Sequence, residues 1–349
     1  MKQGLLSLSP EELAVLLEDA GYPAFRAKQV YGWLIKGAEF DEMTTLPLDM
    51  RQALAAQFAL GGARVEKRFE SKRDSTWKYL FVFEDLNLAE GVLMRYRYGN
   101  TLCISSQVGC RMGCSFCAST LQGLERNLSA GEMLGQVVSA GKDLGGEANG
   151  QRPVTNIVMM GSGEPLDNYE NSVRFIRLVS HKEGLNISPR NISLSTCGLV
   201  PEMRRLAEEG LPVTLSVSLH AARDSLRQNL MPIARRYTIG DVMEAARFFV
   251  QRTGRRVIFE YALMDEVNDS LEDAKLLCAL LKGMQSHVNL IPLNRVQETG
   301  LGGSKPAKIA AFMKALEVGH ISVSMRRELG TDIEGACGQL RRRFLEEKE

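Results

Sequence analysis

Over roughly the first sixty residues the apolar positions recur at helical spacing. Ser9-Pro10-Glu11-Glu12 reads as a capping box with proline at the first helical position, and Gly21 supplies the stop. A second helix is predicted over residues 24–36, ending at Gly37, and a third over about 48–59, before Gly61-Gly62 breaks the pattern. From Trp77 the period becomes two, so residues 78–83 and 91–98 read as strands of a small sheet linking the parts. Beyond Thr101 strand and helix patterns alternate. Strands are expected at 102–106, 156–160, 191–195, 213–218, 257–262, 288–292 and 322–326. Helices are expected at 131–144, 168–181, 202–209, 239–253, 271–282 and 306–318.

Six such βα units predict an α/β fold in which a parallel sheet curls into a partial (β/α)6 barrel. Chemistry is then expected at the C-terminal ends of the strands. The organisation expected is a helical accessory unit at 1–65, a β extension at 66–100, the barrel at 101–325 and a C-terminal segment at 326–349.

Composition narrows the class. With 44% hydrophobic residues in 349, the chain has enough apolar material for one large domain and a smaller one. The formal charge is 43 − 42 = +1, so a nucleic-acid partner would have to be met by local basic patches. No run approaches the roughly 18 apolar residues of a membrane span. The N-terminus has neither the apolar core nor the cleavage site of a signal peptide. Seven cysteines, an odd number, fit a reducing compartment with reactive or metal-bound thiols. A soluble cytoplasmic protein is expected.

Three of those cysteines lie together in Cys110-Arg111-Met112-Gly113-Cys114-Ser115-Phe116-Cys117, just after the first barrel strand. A disulfide framework wants an even count, and structural zinc wants a fourth ligand, here a distant histidine or Cys103. C-x3-C-x2-C with no fourth cysteine nearby suits instead a cubane iron–sulfur cluster with one iron left open. After the second strand, Met160-Gly161-Ser162-Gly163-Glu164-Pro165 offers glycines for close ligand approach and a carboxylate for an ammonium group. Ser195 after the third strand, Ser218-Leu219-His220 after the fourth and Asn294 after the sixth place further small or polar groups at strand ends. Each alone could be a turn cap. Cys278 sits among helix-periodic apolar residues and reads as core. Cys337, between glycines in DIEGACGQL, reads equally well as a buried thiol or as one near a ligand.

TLCISSQVGCRMGCSFCAST, GLERNLSAGEML, MMGSGEPLDN, LSTCGLVP, VSLHAARDSLRQNLMP, NLIPLN and DIEGACGQL together resemble the RlmN/Cfr family of radical S-adenosylmethionine (SAM) RNA methyltransferases. The resemblance spans essentially the whole chain, including the N-terminal FRAKQVYGWL. It implies that Cys110, Cys114 and Cys117 bind a 4Fe–4S cluster. Gly163, Glu164, Ser195, Ser218, Leu219, His220 and Asn294 would line the SAM site. Cys337 would carry the methyl group, Cys103 would resolve it through a transient disulfide, and Glu90 would accept a proton. The N-terminal helices resemble the family's RNA-binding accessory domain.

The implied reaction is methylation of carbon 2 of an adenosine in 23S rRNA and in tRNA. It would use two SAM molecules per turnover and an electron donor such as flavodoxin, in a monomeric enzyme. The alternatives are methylation of carbon 8 of the same rRNA adenosine, as in the Cfr branch, and a non-catalytic iron–sulfur factor that binds RNA. Phosphate contacts are expected among Arg26, Lys28, Arg235, Arg236, Arg326, Arg327 and Arg341-Arg342-Arg343. Three departures from the family pattern stand out. Ser162 replaces a common methionine, Leu329 takes the place of a basic residue, and Ala222-Arg223 stands in an expected solvent loop.

Overall fold

The computed structural model describes residues 2–146, 152–293 and 300–335. Three helices open the chain, α1 (Pro10–Asp19), α2 (Phe25–Leu34) and α3 (Leu48–Gln57). The predicted capping box is present: Glu12 N donates to Ser9 Oγ at 3.2 Å, and Ser9 N donates to the Glu12 carboxylate at 2.8 Å. Four antiparallel strands follow, β1 (Arg64–Glu70), β2 (Thr76–Val82), β3 (Leu88–Tyr96) and β4 (Gly99–Cys103). A two-stranded ribbon of β5 (Gln107–Gly109) and β6 (Leu124–Asn127) comes next.

The βα units then run α4 (Ala130–Asp143), β7 (Asn156–Met159), α5 (Tyr169–Val179), β8 (Ile192–Thr196), α6 (Val200–Glu208) and β9 (Thr214–Ser218). They continue through α7 (Asp224–Leu230), α8 (Ile239–Thr253), β10 (Val257–Leu263), α9 (Leu271–Leu281), β11 (Ser286–Pro292), α10 (Pro306–Val318) and β12 (Val323–Met325). No described helix is long and apolar enough to cross a membrane.

The meander does not form the separate small sheet expected of it. Strand β4 pairs with β3 on one side and, in parallel, with β7 on the other. One ten-stranded sheet results, in the order β1-β2-β3-β4-β7-β8-β9-β10-β11-β12 and parallel from β4 onward. From β4 the chain makes six βα units, the partial barrel that the pattern predicted. Strand β1, unpredicted, carries Arg, Glu and Lys on an exposed edge, where charge discourages pairing with another chain. That same charge hides its period.

The two faces of this sheet differ in kind. Leu102, Ile157, Leu194, Leu215, Val217, Phe259 and Leu290 are fully buried against the helices. The strand register places Cys103, Val158, Ser193, Ser195, Ser216, Ser218, Glu260 and Asn289 on the opposite, concave face. Hydrophobic burial thus holds the helices outside, at roughly 25 cal/mol per Å2 of apolar surface. The inside is left small and polar.

Candidate active site

The ribbon presents the cysteine loop at the mouth of that concave face. Cys110 N donates to Gly123 O at 2.9 Å and closes the loop at its base. Gly109 sits at φ +75°, with an added Cβ only 2.0 Å from Gly123 O, so the closure requires glycine. Inside the loop Cys117 N donates to Cys114 O, and the Thr120 hydroxyl donates to Cys117 O at 3.0 Å. Ser115 N donates to Leu230 O at 2.9 Å and ties the loop to the end of α7.

Cys110, Cys114 and Cys117 line one cavity of about 160 Å3 with Gly163, Glu164, Ser195, Cys197, Ser218, His220 and Glu260. Burial chiefly pushes the Cys110 thiol up to about 12, with Glu164 and then Cys117 adding, and, with the neighbouring thiols, pushes the Cys114 thiol well above its usual value. Among the described residues no three His, Cys, Asp or Glu side chains are disposed around a single metal ion. A cubane asks for something different, each thiolate on its own iron.

The Gly161–Glu164 turn is set by protein packing as much as by any ligand. A Cβ at Gly163, φ +104°, would stand 2.6 Å from Gln107 Cβ, and one at Gly161 would stand 2.6 Å from Ile104 O. Gln107, which sequence reasoning passed over, is fully buried. It accepts from Glu164 N at 2.8 Å and donates to Asn127 and Asp167. The Glu164 carboxylate accepts Cys197 N at 2.7 Å and Leu166 N at 3.0 Å. Burial nevertheless pushes its carboxyl up, against those amides. It lines the cavity, but its first duty is to join the ends of β7 and β8.

His220 stands on the same wall with φ +55°, its ring edge-on to Phe116 at 4.7 Å between centroids. Its Nδ1 accepts Ala262 N at 2.9 Å, and Asn268 Nδ2 donates to its carbonyl at 2.7 Å. Burial, and then the charge of Arg227, lower its imidazole to about 3, so it is neutral with Nε2 carrying the proton. Leu219 contributes no side chain to the cavity. It is 0% exposed, packs in the core, and its carbonyl accepts Arg227 Nε. Asn294 and Cys337 lie outside the described residues. Ala222 is buried rather than in a solvent loop, and Arg223 pairs with the buried Asp273 at 2.8 Å.

Arg227 is the largest fully buried side chain and was not singled out in the sequence. Its Nη2 donates to Cys197 O at 2.6 Å and Ser218 O at 3.2 Å, and its Nη1 has no partner. Among the described residues no carboxylate forms an ion pair with it. Burial lowers its guanidinium from the ordinary value; Cys197 and Cys114, were they ionised, and then Asp224 act against that shift. A buried cation without a counter-ion is costly. Three iron-bound thiolates and their sulfides would supply the missing anion. The three cysteines therefore fit a 4Fe–4S cluster.

A second constellation sits on the same face, at β2 to β4. The register Lys78↔Val92↔Cys103 sets these three across the sheet, with Glu90 two residues along β3 on the same side. Glu90, 6% exposed, pairs with Lys78 at 3.2 Å, and Ser105 Oγ donates to its carbonyl at 2.7 Å. The Cys103 thiol is buried in a small apolar patch with Val92 and Met94, and Leu329 packs on it. Leu329, read as a missing phosphate contact, is thus half-buried against this apolar patch. The next residues are pinned nearby. Gly330 N donates to Asp74 at 2.9 Å, and Asp332 accepts Ser71 Oγ at 2.7 Å and Lys72 N at 2.8 Å. Those amide and hydroxyl donors hold the Asp332 carboxyl below its usual range.

Comparison with known proteins agrees with this geometry. Residues 104–278 match the model of the Radical SAM superfamily, and residues 3–60 match the ribosomal RNA large subunit methyltransferase N-terminal domain. A probable dual-specificity RNA methyltransferase RlmN of Alkaliphilus oremlandii is 47% identical over 346 residues, covering 99% of both chains. Its counterpart in Lachnoclostridium phytofermentans is 50% identical over 347 residues, covering 99% of this chain and 96% of that one. The crystal structure of a radical SAM methyltransferase from Sphaerobacter thermophilus superposes with a TM-score of 0.93 at 43% identity, over 97% of this chain and 99% of that one. A cysteine loop at the mouth of a partial barrel, a matching N-terminal unit and full-length similarity lead to one conclusion: the chain belongs to the RlmN family of radical SAM RNA methyltransferases, enzymes of a 4Fe–4S cluster and SAM.

Proposed function

We propose that this enzyme methylates carbon 2 of an adenosine in 23S rRNA and in tRNA, carrying the methyl group on Cys337 and releasing it through a transient Cys103–Cys337 disulfide. The observation that carries the reading is the gathering of Cys103, Glu90 and the start of the C-terminal segment at one patch of the concave face. The described chain ends at Gly335, two positions before Cys337. A non-catalytic RNA-binding factor has no use for that arrangement.

The Cys337 thiolate first displaces the methyl group of one SAM, forming its S–C bond as the sulfonium S–C bond breaks. Cys110, Cys114 and Cys117 would hold the cluster, which with a second SAM and one electron from a donor such as flavodoxin would supply the hydrogen-abstracting radical. The S-methyl carbon of Cys337, having lost a hydrogen atom, bonds to the electrophilic ring carbon. Glu90, held toward Lys78, takes the proton that this ring carbon loses. The unpaired electron left on the adduct would return to the cluster. The Cys103 thiolate then attacks the Cys337 sulfur, the S–C bond breaks with its electron pair going to carbon, that carbon takes up a proton to complete the methyl group, and the methylated base leaves. A cytoplasmic thiol pool reduces the disulfide. The adenine must be unstacked to enter, since a barrel mouth cannot reach a base within a helix. The N-terminal helices would hold the RNA. Arg235 and Arg236, exposed a few residues beyond α7, would be available for phosphate contacts.

The test is anaerobic incubation of the reconstituted protein with SAM, a reductant and unmodified rRNA or tRNA, followed by nucleoside mass spectrometry. 2-Methyladenosine is expected from both RNAs. 8-Methyladenosine would overturn the regiochemistry, and no methyladenosine would overturn catalysis. A Cys103→Ala variant should accumulate a protein–RNA adduct through Cys337, and its absence from an active preparation would remove the resolving role.

A further inference from the structure

We propose that Arg227 is the buried counter-charge of the iron–sulfur centre, a positioning residue that raises the cluster's reduction potential and holds two strand ends in register beneath it. The inference rests on Cys110, Cys114 and Cys117 holding the cluster.

Three observations converge on it. First, its place in the fold is fixed by both walls of the site. Nη2 bridges Cys197 O, beyond β8, and Ser218 O, at the end of β9, while Nε reaches Leu219 O. Ser195 and Ser218, which line the cavity, stand on those two strands. A Cβ on Gly198 would come within 3.2 Å of Nη2, so the turn after β8 closes directly over the guanidinium.

Second, the segment that carries Arg227 is the support of the cysteine loop. Leu230 O accepts Ser115 N, Met231 lines the cavity, and Pro232 lies against Gly113. Helix α7 is only seven residues long, and beside Leu230, buried in the core with Leu226 packed against it, its other buried residue is Arg227. That apolar packing, the loop contact and the carbonyl bonds of Arg227 hold it together.

Third, among the described residues no carboxylate forms an ion pair with the charge. Arg126, by contrast, is a half-buried guanidinium satisfied by two carboxylates, Asp85 and Glu132. Arg227 donates only to carbonyls, keeps one buried nitrogen unpaired, and its charge favours the ionised form of the Cys114 thiol. Carbonyl dipoles orient a guanidinium without neutralising it. The charge is answered when Cys114 is an iron-bound thiolate, since metal-ligated cysteines are deprotonated. A cluster on three thiolates gains a further negative charge on reduction, and a fixed cation in a low-dielectric wall favours that state.

The experiment compares anaerobically reconstituted wild type, Arg227→Lys and Arg227→Met. Iron and sulfide per chain are measured first, and the midpoint potential of the cluster is then followed by electron paramagnetic resonance. Full iron loading of the wild type tests the cluster assignment separately from the role of Arg227. Arg227→Met is expected to shift the midpoint to more negative potential, while Arg227→Lys, which keeps the charge and loses the carbonyl bridge, stays near the wild type. Loading of iron by Arg227→Lys but not by Arg227→Met would equally support the charge. An unchanged midpoint in Arg227→Met, an equal shift in both variants, or loss of iron from both would overturn it in favour of a purely structural arginine.

Discussion

The two faces of the ten-stranded sheet are made by alternate residues of the same strands, yet they follow different rules. On the outer face Leu194, Leu215, Phe259 and Leu290 are completely buried, and every one is apolar. On the concave face Ser216 is equally buried, but its hydroxyl has no partner, and Glu260 is a carboxylate pushed up by burial. Equal burial has opposite meanings. Outside, it is the free energy of folding. Inside, polar groups are kept in a closed space where ligands will meet them, at some expense of stability.

The sharpest separation of the faces should come from the loop that caps the inner one. Cys117→Ala is expected to reduce methylation below detection and to lower iron content, with a thermal midpoint within about 2 °C of wild type, because a surface-loop change costs little. Full iron retention would break the assignment. On the outer face Phe259→Ala should cost about 3–5 kcal/mol in urea unfolding of the cluster-free protein. A loss under about 1 kcal/mol would mean that this face is not the structural one.

His220 belongs to the inner wall and gives a pH signature. Its folded value is lowered to about 3, below its ordinary 6.5. The unfolded chain therefore binds the extra proton first as pH falls, and stability is lost downward from pH 6.5 toward 3. Glu164 and Glu260, with raised carboxyls, act in the opposite sense above the ordinary carboxylate range. Subtracting the pH profile of a His220→Asn variant isolates the imidazole. Its share should be about 2.5 kcal/mol between pH 7 and pH 4.5. Parallel profiles for the two proteins would show that the ring is not held neutral.

Ser216→Ala makes the smallest change expected. Deleting a buried hydroxyl that has no partner should alter stability by less than about 1 kcal/mol, in either direction. A loss above about 2 kcal/mol would show the inner face to be packed like the outer one.

Much of the fold follows from local pattern. Helices α8 and α10 have the predicted ends, because Thr238 caps one with its side chain and Pro306 starts the other. The six βα units were legible for the same reason, since apolar spacing and turn residues repeat. The misses were short or irregular. The β5–β6 ribbon has three- and four-residue strands, and α7 is only seven residues long. The charges of β1 mask its alternation.

Within the site the division runs between residue type and partner. Cys110, Cys114 and Cys117 were legible because thiolate chemistry at that spacing is local to eight residues. Glu164 and His220 were legible as polar groups at strand ends, but not that backbone amides occupy the carboxylate of one and the Nδ1 of the other. Gln107, Arg227 and the packing of Leu329 against the Cys103 patch carried no sequence signal, because each acquires its meaning from residues distant along the chain. The order of side chains fixed the elements, the alternation of faces and the cluster loop, all consequences of short-range periodicity and covalent spacing. Only the closed sheet decided which buried polar groups are satisfied and which charge is left waiting for an anion, because burial and pairing are properties of three-dimensional neighbours.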